Sequence, residues 1–175
     1  MHIHWGALLF TLIVGVVAFA FARPLLTAPL PSAPDFAVVD DGVEPLDVPT
    51  PVPESLHSRW YTQTVAPLLE VGQIGDVSVQ FRNVGQTAWI RGTPAEIRLG
   101  EVGPRPLPTE MKVEWPLPNR PAVQTEAVVE VDQVATFTFK VRGAAPGTYR
   151  LMLQPVVDGV AWLEDEGVFV DIEVE

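Results

Sequence analysis

The chain begins with a continuous apolar run from Trp5 to Ala22, and Arg23 follows this run directly. A helix over residues 3–22 is about 30 Å long at about 1.5 Å per residue, which matches the hydrocarbon core of a bilayer. The pattern therefore predicts a transmembrane signal-anchor helix over residues 1–23, with Arg23 reaching the polar interface. The other side chains that we expect to anchor this helix are aromatic: Trp5, Phe10, Phe19 and Phe21.

The same run has one feature of a cleaved secretory signal. The triplet from Ala20 to Ala22 satisfies the small-x-small rule for signal-peptidase cleavage. The basic segment that usually precedes the apolar part of a signal is missing, because no Lys or Arg precedes Arg23. We therefore favour a retained anchor. Arg23 alone favours a cytoplasmic C-terminal side, but a long proline-rich arm after an anchor is typical of an exported domain, so we expect that domain outside the membrane.

Residues 24–56 are predicted to form a proline-rich, acidic linker. They contain eight prolines and six acidic residues, and neither Lys nor Arg. Proline fixes φ and like charges repel each other, so we expect an extended spacer without regular structure. An alternative is that the arm wraps along a partner surface, with the apolar segment from Phe36 to Val39 in contact with that surface.

From Arg59 onward, apolar and polar residues alternate with a period of two, as in strands with one face in water. Turn sequences such as Asn83 to Gly85 and Ala145 to Gly147 separate the alternating segments. Residues 57–175 are therefore predicted to form an all-β, immunoglobulin-like β-sandwich of about seven strands. The inward positions of the clearest strands are Val77, Val79, Phe81, Phe137, Phe139, Val141, Tyr149, Leu151, Leu153, Val168, Val170, Ile172 and Val174.

Large aromatic residues are expected to supply the core, because the chain has no cysteine and therefore no disulfide. The segment from Pro146 to Tyr149 resembles a tyrosine corner, in which the phenol bonds back to the main chain. The predicted core residues are Trp60, Phe81, Trp89, Trp115, Phe137, Phe139, Tyr149 and Trp162.

The motifs that follow one another along the predicted sandwich are Val79 to Gly85 with Trp89, Ile97 to Gly100, Trp115 with Asn119 and Arg120, Val134 to Phe139, Pro146 to Tyr149, and Val156 to Trp162. Their order resembles the four-tryptophan, or FW, immunoglobulin-like domain in a bacterial, membrane-anchored version. The resemblance implies a sandwich used for binding or spacing, without enzymatic activity, in which Trp89, Trp115 and Trp162 are structural. The chain departs from the family pattern at Val131 to Gln133, where the family often has glycine.

The formal net charge is −11, and such a surface repels phosphate backbones, so we expect no nucleic-acid partner. Without cysteine the chain has no thiolate metal site, covalent haem attachment or cysteine nucleophile. It has four serines, and no histidine follows His57, which excludes a serine–histidine pair within the predicted strands. We therefore predict a protein that is not an enzyme, with no cofactor and no small-molecule substrate.

Two segments leave alternatives open. The acidic run at residues 164–166 is interpreted either as a solvated turn or as a calcium site at one end of the sandwich. The segment from Pro104 to Pro121 contains six prolines, which indicates either an edge strand protected by proline or a docking surface. The candidate docking residues are Leu107, Met111 and Leu117.

One membrane helix and one chemically inert domain are typical of an accessory subunit. We predict a non-catalytic, single-pass subunit of the bacterial cell membrane, whose extracytoplasmic immunoglobulin-like domain braces or docks onto a larger membrane-protein complex. Its expected partners are the subunits of that complex and the lipid bilayer. The first alternative is a free-standing adhesion or surface protein of the cell envelope. The second is a filament subunit, although the basic leader of pilins is missing.

Overall fold

The computed structural model describes residues 48–65 and 68–175. The predicted anchor at residues 1–23 and most of the predicted linker lie outside the described residues, so those predictions stay predictions. Within the described part of the chain, no helix has the length and apolar character needed to cross a bilayer.

The described residues form eleven β-strands and two short 3₁₀ helices, at Pro53–Ser55 and Thr109–Met111. Most of the sheet structure lies in β1, β2, β4, β8, β9 and β11, because the other strands have only two residues each. In chain order the strands are β1 (Ser58–Gln63), β2 (Ile74–Asn83), β3 (Trp89–Ile90), β4 (Arg98–Val102), β5 (Lys112–Val113), β6 (Ala122–Val123), β7 (Val128–Val129), β8 (Val134–Arg142), β9 (Gly147–Val157), β10 (Ala161–Trp162) and β11 (Val168–Val174).

The strands form two sheets and one separate two-stranded ribbon of β3 and β7. The first sheet has the order β1-β2-β8-β5, and the second has the order β10-β9-β4-β6, with β11 also paired to β9. The first order corresponds to strands A-B-E-D of an immunoglobulin sandwich, and β11-β9-β4 corresponds to strands G-F-C. The prediction of an all-β, immunoglobulin-like sandwich is therefore confirmed for the described residues.

The inward faces of both sheets meet in one hydrophobic core. Phe81 and Phe137 lie on the neighbouring strands β2 and β8, and their rings meet edge to face with centroids 6.1 Å apart. Trp89 is fully buried beside them in the same cluster. The predicted inward positions on β2, β8, β9 and β11 are confirmed, since all but Tyr149 are buried. Buried side chains on both sheets explain how the domain is stable without a disulfide.

The turn before β9 confirms the predicted tyrosine corner. Tyr149 packs against the core, and its hydroxyl donates a hydrogen bond to the carbonyl oxygen of Ala145 at 3.0 Å. Trp115 is also partly buried at the core edge, where its indole N–H donates to the carbonyl oxygen of Lys140 at 3.0 Å. Its ring meets Phe139 edge to face at 6.0 Å.

Two of the predicted core tryptophans are exposed, and for these the prediction was wrong. Trp60 is 44% exposed and Trp162 is 46% exposed. Trp60 lies opposite Phe81 on the inward face, but β1 is the edge strand of its sheet, so no further strand of the described residues covers the indole from the side. Trp162 lies over Gly100 of β4, where a Cβ would overlap the indole ring. Because Gly100 is buried and Trp162 is not, the indole covers the sheet from outside the core.

The folded domain begins before residue 57, which corrects the predicted boundary between linker and domain. Pro51, Ser55 and Leu56 are buried, and Ser55 accepts a backbone hydrogen bond from Gln86 at 2.8 Å. Gly85 permits this close approach, because a Cβ there would lie 2.8 Å from the backbone nitrogen of His57 and would overlap the carbonyl oxygen of Ser55. The last residues of the predicted linker are thus part of the sandwich.

We expect Gly85→Ala to destabilise the domain by about 1–3 kcal/mol, because the added methyl group must push residues 55–57 away from the turn. Urea unfolding of the variant measures this loss. Gln86→Ala is the matched control, since Gln86 is exposed and keeps its backbone bond to Ser55. Equal unfolding midpoints for Gly85→Ala and the control would contradict the boundary at Pro51.

Candidate docking surface

An open groove of about 620 Å³ lies between the edge strands β1 and β11. It continues along β11 into a smaller hollow of about 250 Å³, and the two share Gln63 and Phe169. We call the two together the β1–β11 groove. The residues that line it are Arg59, Trp60, Gln63, Thr64, Val65, Glu166, Gly167, Val168, Phe169, Val170 and Asp171.

The groove exists because the chain changes sheet as it passes along this side of the sandwich. Residues 58–63 pair with β2 in the first sheet. Leu69 instead forms a parallel bridge with Val174 at the end of β11, in the second sheet. The backbone N–H of Leu69 donates to the carbonyl oxygen of Glu173 at 3.0 Å, and its carbonyl oxygen accepts from the backbone N–H of Glu175 at 2.9 Å. Between these two points β1 and β11 are not paired as strands.

The surface of the groove is largely apolar and aromatic. Trp60 and Phe169 face it with 44% and 41% of their surface exposed, and Val65 is almost fully exposed. Tyr61, next to Trp60, is exposed as well and carries the guanidinium of Arg82 5.3 Å from its ring centre. Exposed apolar residues that cluster in this way are typical of interaction sites.

Phe169 is held in place by a charged pair on the outer face of the second sheet. The guanidinium of Arg150 lies 3.9 Å from the ring centre. Arg150 donates two hydrogen bonds of 2.7 Å to the carboxylate of Asp171. These bonds lower the pKa of Asp171 and raise the pKa of Arg150. The paired charges fix the arginine, and the arginine fixes the ring, so the aromatic surface is presented with little side-chain freedom.

Side chains, not backbone ladders, connect β1 to the second sheet across the groove. The amide of Gln63 donates to the carbonyl oxygen of Phe169 at 2.9 Å, and Glu166 accepts the backbone N–H of Trp60. At the end of the groove, Glu164 accepts from the backbone of Ser58 at 2.7 Å and pairs with the imidazole of His57 at 2.5 Å. The groove therefore has polar connections at one end and where its two hollows meet, with aromatic and aliphatic side chains between them.

These contacts show what the acidic run at residues 164–166 does. Glu164 and Glu166 bind the first residues of β1, and Asp165 accepts the backbone N–H of Gly167 at 3.0 Å. Across residues 48–65 and 68–175, no three or more acidic or histidine side chains converge as a metal site. The two glutamates therefore attach β1, and Asp165 fixes the turn that precedes β11.

Two of the three predicted docking residues lie in the core, which corrects that prediction. Met111 is fully buried and Leu107 nearly so, and only Leu117 is exposed, at 41%. The segment from Pro104 to Pro121, which we call the proline-rich loop, folds back onto the sandwich. Glu101 accepts the backbone N–H of Leu107 at 2.6 Å and pairs with Lys112 at 2.5 Å. That pairing places both apolar side chains against the sandwich. The edge-strand interpretation is confirmed for the short β5, which pairs with β8.

Trp162 forms a second exposed aromatic position, away from the β1–β11 groove. The guanidinium of Arg120 lies 4.8 Å from its ring centre and is itself nearly buried. Arg120 donates two hydrogen bonds to Asp158, at 2.9 and 2.6 Å. The indole of Trp162 thus covers Gly100 and contacts Arg120, whose charge is balanced by Asp158. This is a structural role, although the ring lies outside the core.

Sequence reasoning missed the β1–β11 groove, although the sequence carries one signal of it. Val168, Val170, Ile172 and Val174 take the inward positions of β11, so the residues between them should be polar. Phe169 breaks this alternation with an aromatic residue on the wet face. What the sequence did not indicate is that Trp60, far away along the chain, lies across from it.

No family model and no curated protein matches the sequence. A crystal structure of the CARDB domain of the PF1109 protein from Pyrococcus furiosus, in complex with di-metal ions, is similar to this chain at 11% sequence identity and a TM-score of 0.39. The similarity covers 69% of this chain and 86% of that chain. It assigns no ligand, metal or activity to this chain.

We expect the attachment of β1 to be strongest between about pH 4.5 and 6.5. The hydrogen bond to Glu164 raises the pKa of His57 above 6.5, so the stability it contributes is complete below that pH and is lost as the pH rises through the raised value. Burial alone would raise the pKa of Glu164, but bonds from Ser58 and His57 outweigh it and lower that pKa below 4.5. Its contribution is therefore lost on acidification.

Amide hydrogen exchange of β1, corrected for intrinsic rates, measures this pH dependence. Protection in the natural chain should stay constant up to about pH 6.5 and fall as the pH rises above it, and it should change little in His57→Gln, which has no charge to lose. The same pH dependence in both chains would contradict the role given to the His57–Glu164 pair.

We expect Met111→Ala to destabilise the domain by about 2–5 kcal/mol, because it leaves a cavity in the core. Leu117→Ala should change stability by less than about 0.5 kcal/mol, as is usual at the surface. Urea unfolding of the two variants separates a core role from a surface role. Equal effects would mean that the loop does not pack as described.

Proposed function

We propose that this protein is a non-catalytic accessory subunit of a bacterial membrane-protein complex, and that it docks onto that complex through the β1–β11 groove. The observation that carries the proposal is the pair of exposed aromatic side chains, Trp60 and Phe169, on facing edges of one open groove. Burial of two such rings against a partner contributes more to affinity than most other surface contacts.

The chemistry of the groove supports binding and not catalysis. Its lining combines aromatic and aliphatic surface with backbone groups, and its two carboxylates are engaged, Asp171 with Arg150 and Glu166 with the backbone N–H of Trp60. A catalytic site would need an activated nucleophile or an acid–base pair directed at an open cavity. The pair of His57 and Glu164 instead connects β1 to the segment before β11.

The remaining parts of the proposal come from the sequence. The apolar run of residues 1–23 supports a retained, single-pass anchor in the bacterial cell membrane with the sandwich outside. The order of tryptophan motifs supports membership of the four-tryptophan immunoglobulin-like domains, in a membrane-anchored version. An acidic chain of net charge −11 is suited to a basic partner surface and not to nucleic acid.

Isolation of the tagged full chain from native membranes in mild detergent tests this proposal. The natural chain should migrate with a large complex on native gels. The double variant Trp60→Ala, Phe169→Ser should copurify with at least about tenfold less of the complex than the natural chain does, because it removes both aromatic contacts. Leu117→Ser is the matched control, since Leu117 and Phe169 are equally exposed at 41% and Leu117 lies outside the groove.

The other outcomes of this experiment contradict parts of the proposal separately. Recovery of the full chain in the soluble fraction without detergent would overturn the anchor. Migration of the natural chain as a lone monomer would overturn the accessory-subunit role and favour the free-standing adhesion instead. Loss of the complex in the Leu117→Ser control but not in the double variant would move the docking site to the proline-rich loop.

A further inference from the structure

The edge of β11 directs a row of backbone groups into the β1–β11 groove. Leu69 bonds to the carbonyl of Glu173 and to the N–H of Glu175, so the odd-numbered residues of β11 point their backbone groups away from β9. Phe169 and Asp171 therefore direct their N–H and C=O groups outward. Among bonds within residues 48–65 and 68–175, neither of these two N–H groups has a partner across the groove.

We propose that an extended segment of a partner protein adds to the edge of β11 at Phe169 and Asp171, as a further strand of the second sheet. This inference rests on the docking function proposed above and specifies how the docking occurs. In such strand addition, main-chain hydrogen bonds supply affinity, and the pockets for alternate side chains supply specificity.

The chain already satisfies parts of this edge in the way that an added strand would. At the far end of β11, Leu69 makes two strand-like bonds of 3.0 and 2.9 Å in parallel orientation. In the middle, the amide of Gln63 donates to Phe169 at 2.9 Å, at the position where the N–H of a neighbouring strand would donate. The edge is therefore already paired as a strand at one end, and in the middle a main-chain N–H can replace the side-chain amide of Gln63.

The groove also selects the side chains of the added strand. Along a strand, side chains alternate between the two faces, so one set would point inward onto Trp60 and the other would lie outside beside Phe169. Trp60 faces inward, because it is paired with the buried Phe81. We therefore expect a large apolar residue at every second position of the partner segment.

The charge of Arg59 places a further requirement on the sequence of the partner segment. Arg59 lines the groove and forms no ion pair with any carboxylate of residues 48–65 and 68–175. A carboxylate on the partner segment would complement it. A second copy of this chain is a less suitable partner, because two chains with a net charge of −11 each repel one another.

The probe is a panel of acetylated heptapeptides with Phe, Trp, Ile or Val at every second position and Thr, Asp or Lys between them. Binding to the full chain in detergent is measured by fluorescence polarisation. Peptides that carry Asp should bind the natural chain more tightly than peptides that carry Lys, and Arg59→Ala should remove this preference. Absence of binding by every peptide at about 1 mM would overturn the proposal.

The decisive comparison is between Asp171→Pro and Asp171→Ala. Both variants lose the carboxylate that pairs with Arg150, but only proline lacks the outward N–H, and proline is tolerated where an edge strand faces solvent. Peptide binding should be at least about tenfold weaker for Asp171→Pro than for Asp171→Ala. Equal binding by the two variants would overturn strand addition.

A second measurement keeps the test decisive if Asp171→Pro does not fold. N-methylation of the peptide removes one N–H at a time and leaves every side chain in place. Binding should be lost at alternate positions only, because successive N–H groups of a strand point to opposite sides. Equal tolerance of methylation at every position would mean that the groove binds side chains without strand pairing.

The result is separable from the test of the proposed function. If the Trp60 and Phe169 double variant loses the native complex while Asp171→Pro and Asp171→Ala retain it equally, docking at the groove stands and strand addition fails. If neither the double variant nor Asp171→Pro loses the complex, the docking function itself fails. Sedimentation of the purified chain as a dimer through this edge would identify a second copy as the occupant and would overturn the assignment to a different partner.

Discussion

The structure depends on one feature of the chain path, which is that the segment from Ser58 to Leu69 begins in one sheet and ends in the other. Each strand edge in a sandwich must be paired, covered or left open. By pairing first with β2 and then with the end of β11, this segment covers both edges only in part. The groove is the space that this change of sheet leaves, and Trp60 of β1 and Phe169 of β11 line it.

A strand that is attached on one side only needs other contacts to hold it. Here carboxylates from the segment before β11 accept backbone N–H groups of β1, and Gln63 reaches back to β11. Such side-chain contacts are weaker than a continuous ladder, but they leave the edge of β11 available. The attachment of β1 also explains the acidic run from Glu164 to Glu166, because both glutamates accept backbone N–H groups of β1. From sequence, the same run could be interpreted as a solvated turn or a metal site.

The scaffold behind the groove is held without a disulfide by packing and by buried side-chain amides, of which Asn83 is one. Asn83 is fully buried. Its side-chain amide donates to the carbonyl oxygens of Thr87 and Val129 at 2.9 and 3.1 Å, and its side-chain oxygen accepts from the backbone N–H of Gly85 at 3.0 Å. A buried polar group with its bonds satisfied fixes one arrangement of the turns around it. Together with the pairing of β2 and β8, this gives the edge strands a rigid support.

The sequence by itself determined the β-strands, the sandwich class, the inward positions and the tyrosine corner, because a period of two and local turn chemistry are properties of neighbouring residues. Tertiary structure decided which apolar residues are buried. Trp60 and Trp162 look like core residues but are exposed, and Met111 looks like a docking residue but is buried. Their burial depends on which strand is an edge and on where a loop folds back, and these are set by contacts between residues distant in the chain.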